Sequence, residues 1–399
     1  MTAAPEVRLR QRLDAIRAAG RWRTPRILEG PQVPEQVIDG HRVLAFCAND
    51  YLGLAADPRV TAAARRALDA YGLGAGAAHL VNGHTRIHAE LEEDLAHFTG
   101  RARALLFSTG YMANLGVLQA LAGRHDQVLE DRLNHASLID ASRLVRCRVR
   151  RYRHADPDHA AALLAETGAD QSRIMVTDGV FSMDGDLAPL PRLAHAARRQ
   201  AAWLMVDDAH GLGVLGDQGG GSCEHFGLST DDVPILMGTL GKAFGTAGAF
   251  VAGSETLIEG LMQFARSYIY TTAMPAALAA ATRVSLDIAR REGWRREHLR
   301  ALIKRLQQGF LQLGLPVPAS PTPIQPLILG SSRVASATAA ALFEAGVLVP
   351  AIRPPTVPEG TARLRITLSA RHSEAHVDRL LETLERVLAR TRRAYPQVP

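Results

Sequence analysis

The stretch ILMGTLGKAFGTAGAFVAG, Ile235 to Gly253, is the one whose reading decides the fold. Two apolar runs, Ile235–Gly238 and Ala249–Ala252, flank a turn of glycines and alanines that holds a single lysine, Lys242. Short continuous apolar runs bounded by turn residues read as strands buried on both faces. No acid stands inside the stretch, and the nearest in sequence are Asp232 and Glu255. An ammonium at the mouth of a buried strand, among residues too small to shield it, calls for a chemical reason.

The same grammar recurs on either side. ALLF (Ala104–Phe107) runs into STGYMANLG, and QVLE (from Gln127) runs into DRLNHAS. RIMVT (from Arg173) is followed by DGVFSMDGD, and WLMV (from Trp203) by DDAHGLG. The candidate strands are Ala104–Phe107, Gln127–Leu129, Ile174–Thr177, Trp203–Val206, Ile235–Gly238 and Ala249–Ala252, with helix-length segments such as Tyr111–Leu121 and Arg192–Gln200 between them. Alternation of this kind predicts an α/β fold with a largely parallel sheet. Ligands of such sheets sit at the carboxyl ends of the strands, so the polar residues that follow each run are expected to build one site.

Beyond this centre the pattern changes. Ile87, Leu91, Leu95 and Phe98 recur at helical spacing, which predicts an amphipathic helix over Thr85–Phe98 with Gly100 as its stop. A long helical region from Pro275 to Leu313 is interrupted at Glu292-Gly293, and PVPASPTPIQP (Pro316–Pro326) ends it. A strand (Leu327–Leu329), a helix (Val334–Ala345), strands at Val347–Val349 and Arg363–Leu368 and a last helix (Ser373–Arg390) follow, a smaller α+β domain. The expected division is an N-terminal helical segment and arm (1–45), a large α/β domain (46–290) and a small domain (291–399).

Composition narrows the function. The 399 residues are 47% apolar and 22% charged, ordinary for a globular protein, with no apolar run that could span a membrane and no signal-peptide core at the N-terminus. Localisation in the cytoplasm is expected. Cys47, Cys147 and Cys223 are too far apart in sequence for a metal motif or a disulfide framework. The net charge of +6 raises a nucleic-acid reading. The arginines are dispersed, however, and the densest run, Arg143–Arg153, alternates with apolar residues as a strand with one solvated face would. No nucleic-acid partner is expected; a surface attractive to an anionic substrate is the better reading.

Standard motifs fail one by one. In a P-loop the lysine is followed by Ser or Thr, but Ala243 follows Lys242. Gly72-Leu73-Gly74-Ala75-Gly76 lacks a preceding strand and the spacing of a dinucleotide fingerprint. His84, His88 and Glu92, four apart, would share a helix face, but the H-E-x-x-H pattern is absent and no metal is expected. What remains is a combination. Ser108-Thr109-Gly110-Tyr111 joins a strand to a helix whose N-terminus can hold a phosphate. Asp207 ends a strand. Lys242, desolvated among small residues, is a nucleophile toward carbonyls. A phosphate cup, a rigid carboxylate and such a lysine together suit pyridoxal phosphate, with the lysine bonded to its aldehyde and the aspartate facing its ring nitrogen.

Six stretches carry a family resemblance: NDYLGLA (Asn49–Ala55), DRLNHASLIDA (Asp131–Ala141), VFSMDGDLAPL (Val180–Leu190), LMVDDAHGLGVLG (Leu204–Gly216), TLGKAFG (Thr239–Gly245) and AIRPPTVPEGTARLRITLSA (Ala351–Ala370). Over nearly its whole length the chain resembles the α-oxoamine synthases, pyridoxal-phosphate transferases of fold type I, the aspartate aminotransferase fold. The resemblance implies a large, mostly parallel seven-stranded sheet with a smaller α+β domain after it, and a homodimer with a shared active site. The last stretch favours the branch that condenses L-alanine with a pimeloyl thioester of CoA or a carrier protein.

Carried over by motif, Lys242 would hold the cofactor covalently, Asp207 its ring nitrogen and His210 its phenolic oxygen, while His135 would stack on the ring. Gly110, Tyr111 and Thr239 would hold the phosphate, with Thr271 or Thr272 supplied by the second subunit, and Ser182 would line the cofactor. Lys242, His135 and Asp207 would be catalytic. Arg353 would grip the amino-acid carboxylate, Arg23 the far end of the acyl chain, and Asn49 joins them on the substrate side. Two departures stand out: Asp178 replaces the glutamate usual in the family, and Ala77, Ala78 and His79 stand where relatives carry more glycine and serine.

Overall fold

The computed structural model describes residues 4–166 and 171–395. The chain forms two compact units: residues 49–301 with 320–323, and residues up to 48 with 302–319 and those from 324 on.

The first unit is built on seven strands: β1 (Arg103–Phe107), β2 (Gln127–Asp131), β3 (Arg148–Tyr152), β4 (Arg173–Asp178), β5 (Trp203–Asp207), β6 (Ile235–Thr239) and β7 (Ala249–Gly253). Their spatial order is β1-β7-β6-β5-β4-β2-β3. Only β7 runs antiparallel to its neighbours; the β6-β5, β5-β4, β4-β2 and β2-β3 pairs are parallel. Successive side chains divide between two cores. Val128, Ile174, Val176, Met205, Ile235 and Met237 pack on one face, and Leu129, Met175, Leu204, Val206 and Leu236 on the other. Burial on both faces is why these strands read as unbroken apolar runs rather than alternating ones. Each of the six strands expected from sequence is present. The seventh, β3, is the solvated edge, confined to Arg148–Tyr152 because Arg143 and Leu144 still belong to a preceding helix, Ala136–Leu144.

Two helices frame the site. Helix α1 (Gly110–Leu121) follows β1, capped by the Thr109 hydroxyl, which accepts from Met112 N. Helix α2 (Ala136–Leu144) follows β2, with His135 as its cap residue. The amphipathic helix expected at 85–98 spans Arg86–Thr99, between a Thr85 capping box and a left-handed Gly100. The helical region after Pro275 is two helices, Ala276–Arg291 and Trp294–Gln312, separated at Glu292-Gly293 as expected.

In the second unit, strands Ile324–Gly330, Ala362–Thr367 and Ala351–Ile352 form one antiparallel sheet. Glu35–Ile38, His41–Ala45 and Val347–Leu348 form another. The first helix, Pro5–Ala18, buries none of its residues.

Candidate active site

The strand register brings the acids together. Asp178 ends β4 and Asp207 ends β5, and the two are direct partners across the parallel pair. Asp207 is buried, its carboxylate accepting from the Asn114 amide at 2.7 Å and from Ala209 N at 3.1 Å. Asp178, also buried, accepts from His135 N at 2.8 Å. Burial first, and the charge of Asp207 second, push the Asp178 pKa well above the carboxylate range. A shorter side chain than the family's glutamate therefore has a definite place here: it anchors the backbone of His135.

Lys242 lies in the turn after β6, half-buried rather than interior. Its Nζ is 2.8 Å from His210 Nε2. His210 Nδ1 is in turn 2.6 Å from the Tyr51 hydroxyl, which donates to Asn49 Oδ1 at 3.2 Å. A chain of polar groups thus runs from the amine through an imidazole and a fully buried phenol to Asn49. Tyr51 belongs to the NDYLGLA stretch, but its function is not visible in the sequence because its partner lies 159 residues away.

The glycines around Lys242 serve packing more than room. A Cβ on Gly245, whose φ is +64°, would lie 2.3 Å from Ala55 N. The lysine turn and the NDYLGLA turn therefore touch backbone to backbone, which only glycine permits. Gly211 and Gly221 wall in Asp208, where a Cβ at either would lie 2.0 Å from a carboxylate oxygen. Asp208 accepts from Ser222 N at 2.7 Å, and burial pushes its pKa up to about 7. Adjacent aspartates thus differ: Asp207 meets the site's polar groups, while Asp208 braces the turn behind it.

His135 is exposed, with Nδ1 tied to the Ser137 hydroxyl at 2.7 Å. Loss of hydration lowers its pKa; Asp207 opposes the shift and Lys242 adds to it, so both charges reach the ring. At the start of α1, Gly110 is free of steric crowding, with Met237 Cε at 3.5 Å from a Cβ built there. The first N–H groups of a helix have no intrahelical partner and aim at an anion. The Tyr111 side chain points elsewhere, to Asp140. Thr239 Oγ1 donates to Gly248 O at 3.2 Å and accepts from Gly241 N. Ser182 lies half-buried in the loop after β4. Thr271 and Thr272 follow a short helix, and Thr272 bridges to Ala78. Arg23 and Arg353 belong to the second unit, where they line one cavity of about 580 Å³; Arg353 donates to Gly20 O at 2.6 Å.

The histidines at 84 and 88 require a correction. His84 precedes the helix rather than belonging to it, yet its ring lies 5.5 Å from that of His88 and its Nε2 3.8 Å from a Glu92 carboxylate oxygen. It meets His79, Nδ1 to Nδ1 at 2.8 Å, while His88 is spent on Thr85 N and Met274 O. No cluster fit to hold a metal occurs among the described residues. The thiols of Cys47 and Cys223 are pushed up by burial, to about 11 and about 12.

A lysine beside an imidazole, a strand-end carboxylate and a capped helix start suit a phosphorylated aldehyde with a basic ring nitrogen. Residues 41–384 match the family model described as aminotransferase class I and II. The 8-amino-7-oxononanoate synthase of Thioalkalivibrio sulfidiphilus is 65% identical over 95% of this chain and 96% of its own. The chain belongs to the class I and II aminotransferase family, among the 8-amino-7-oxononanoate synthases. The solved 8-amino-7-oxononanoate synthase of Francisella tularensis superposes with a TM-score of 0.76 at 31% identity, covering 87% of this chain and 98% of that one. A serine palmitoyltransferase from S. paucimobilis, solved with a pyridoxal-phosphate adduct, reaches a TM-score of 0.90 at 30% identity over 96% of this chain and 97% of its own. The fold is therefore fold type I, as expected.

Proposed function

We propose that this chain condenses L-alanine with a pimeloyl thioester, releasing carbon dioxide and the free thiol and forming 8-amino-7-oxononanoate, a step of biotin biosynthesis, with pyridoxal phosphate as cofactor. The observation that carries the reading is Lys242 held on His210 beside the Asp178–Asp207 strand ends, in a chain so similar to synthases of that name. Bound there, the cofactor supplies an electron sink for the pair left when alanine's α-carbon loses its proton.

The residues divide the remaining work. Lys242 anchors the cofactor and then, as a free amine, removes the α-proton. Asp207, fixed by Asn114 and Ala209, holds a proton on the ring nitrogen. His210 orients the phenolic oxygen, itself oriented by Tyr51. The α1 start at Gly110 and Tyr111, with Thr239, receives the phosphate, and Ser182 lines the ring. His135 faces the acyl carbonyl. Arg353 receives alanine's carboxylate, Arg23 the distal carboxylate of the acyl chain, and Asn49 the substrate side. These roles, the cytoplasmic setting and a homodimer in which Thr271 or Thr272 reaches the other subunit's phosphate rest on the resemblance. Among the described residues no helix is long and apolar enough to cross a membrane.

The test is a panel of alanine, glycine and serine against acetyl, succinyl, pimeloyl and palmitoyl thioesters, on CoA and on a carrier protein. Alanine with pimeloyl is expected to dominate. Preference for glycine would move the chain to a sister reaction such as glycine C-acetyltransferase.

A further inference from the structure

Behind His135 lies a relay that starts at Asp207. The Asn114 amide nitrogen donates to Asp207 Oδ2 at 2.7 Å. The same nitrogen lies 2.8 Å from Ser137 Oγ. Both of its N–H bonds are thereby used, and Ser137 Oγ accepts one of them. The serine's own hydrogen is left for His135 Nδ1, 2.7 Å away. The Ser137 backbone N–H aims at the same Nδ1 from 3.3 Å. Two donors converging on one ring nitrogen require that nitrogen to be without a proton. Asn114 and Ser137 are both fully buried, one on α1 and the other on α2.

We infer that Asn114 and Ser137 are positioning residues that fix His135 as the neutral Nε2–H tautomer, tying its ring to Asp207 through two intervening side chains. The inference rests on the reading above for what His135 faces, but the tautomer follows from the hydrogen bonds of this chain alone. In this form His135 offers a donor at Nε2 and no base. It polarises a carbonyl by hydrogen bonding, and proton removal at the α-carbon is left to Lys242.

The test is ¹⁵N NMR of histidine-labelled full-length protein with pyridoxal phosphate added, the His135 signals being assigned by their loss in His135→Gln. Wild type is expected to show His135 Nδ1 unprotonated and Nε2 protonated across pH 6.5–8.5. Ser137→Ala should give a tautomer mixture, raise the His135 pKa and lower kcat about tenfold, a loss of 1.4 kcal/mol in the barrier, with the KM for alanine within about twofold. Ser137→Thr should restore the single tautomer. A wild-type ring protonated at Nδ1, or Ser137→Ala with an unchanged tautomer, overturns the inference. Either result is read without substrate, so a failed substrate panel leaves it standing or falling on its own.

Discussion

His210 bridges a phenol and an amine, whereas His79, His84 and His88 bridge one another and the backbone. Both groups lie in the same unit, yet their partners differ in kind. Around His210 and His135 stand Lys242, Asp207 and Asp178, groups that carry charge or exchange protons. Around His79 stand His84, His88 and the flat ring of Tyr268, stacked at 5.3 Å. Burial and mutual repulsion push the pKa of His79 down to about 3, and burial likewise lowers those of His84 and His88. Histidines become chemical when the fold faces them with a charge; faced with each other, they are polar packing.

The sharpest way to break that contrast is to remove the partner that makes it. Lys242→Ala should lower turnover by about 10³-fold or more, given the scale of lost proton-transfer catalysis, while pyridoxal phosphate still binds non-covalently by equilibrium dialysis. Substantial turnover would remove Lys242 from the chemistry. Next in size, His210→Gln should cost about 10²-fold in kcat/KM, on the same scale, whereas His84→Gln should leave kcat/KM within about twofold. Equal losses in the two variants would erase the distinction. The neighbouring aspartates extend it: Asp207→Asn should weaken cofactor binding, while Asp208→Asn, a neutral isostere of a carboxyl already lifted to about 7, should leave it unchanged.

What was legible in the sequence follows the same line. The strands of the central sheet are buried on both faces, so their apolar runs announce themselves, and the residues after them had to form the site. Lys242, Asp207, His210 and His135 sit at those ends. Tyr51 and Asn114 were silent because their partners lie 159 and 93 residues away, a separation that no local spacing encodes. His84 and His88 lie together as their spacing suggested, but Thr85 caps the helix between them, so His84 stands outside it. The hairpin Glu35–Ile38 to His41–Ala45 also left a mark, Asp39-Gly40, with φ of 51° and 77° as a type I′ turn demands.

The smallest effect concerns stability, and it tests the packing side of the contrast. Three imidazoles have folded pKa values below the unfolded value near 6.5. As pH falls below that value the unfolded chain takes up protons that the folded cluster refuses, so stability drops by up to about 1.4 kcal/mol per pH unit for each histidine. Glu92, 3.8 Å from His84 and raised by burial to about 7, acts with the opposite sign: below pH 7 the folded state binds its proton first and gains stability. Three imidazoles are shifted one way and one carboxyl the other, so the cluster should release protons on folding as pH falls below 6.5. His79→Gln, which keeps a polar planar group without a titration, should flatten the fall in urea midpoint between pH 6.5 and 5, because it removes the imidazole held down to about 3. Turnover at pH 7.5 should stay within about twofold. A slope unchanged by the substitution would mean that His79 is protonated in the folded state, and that the second group of histidines, like the first, is held by charge.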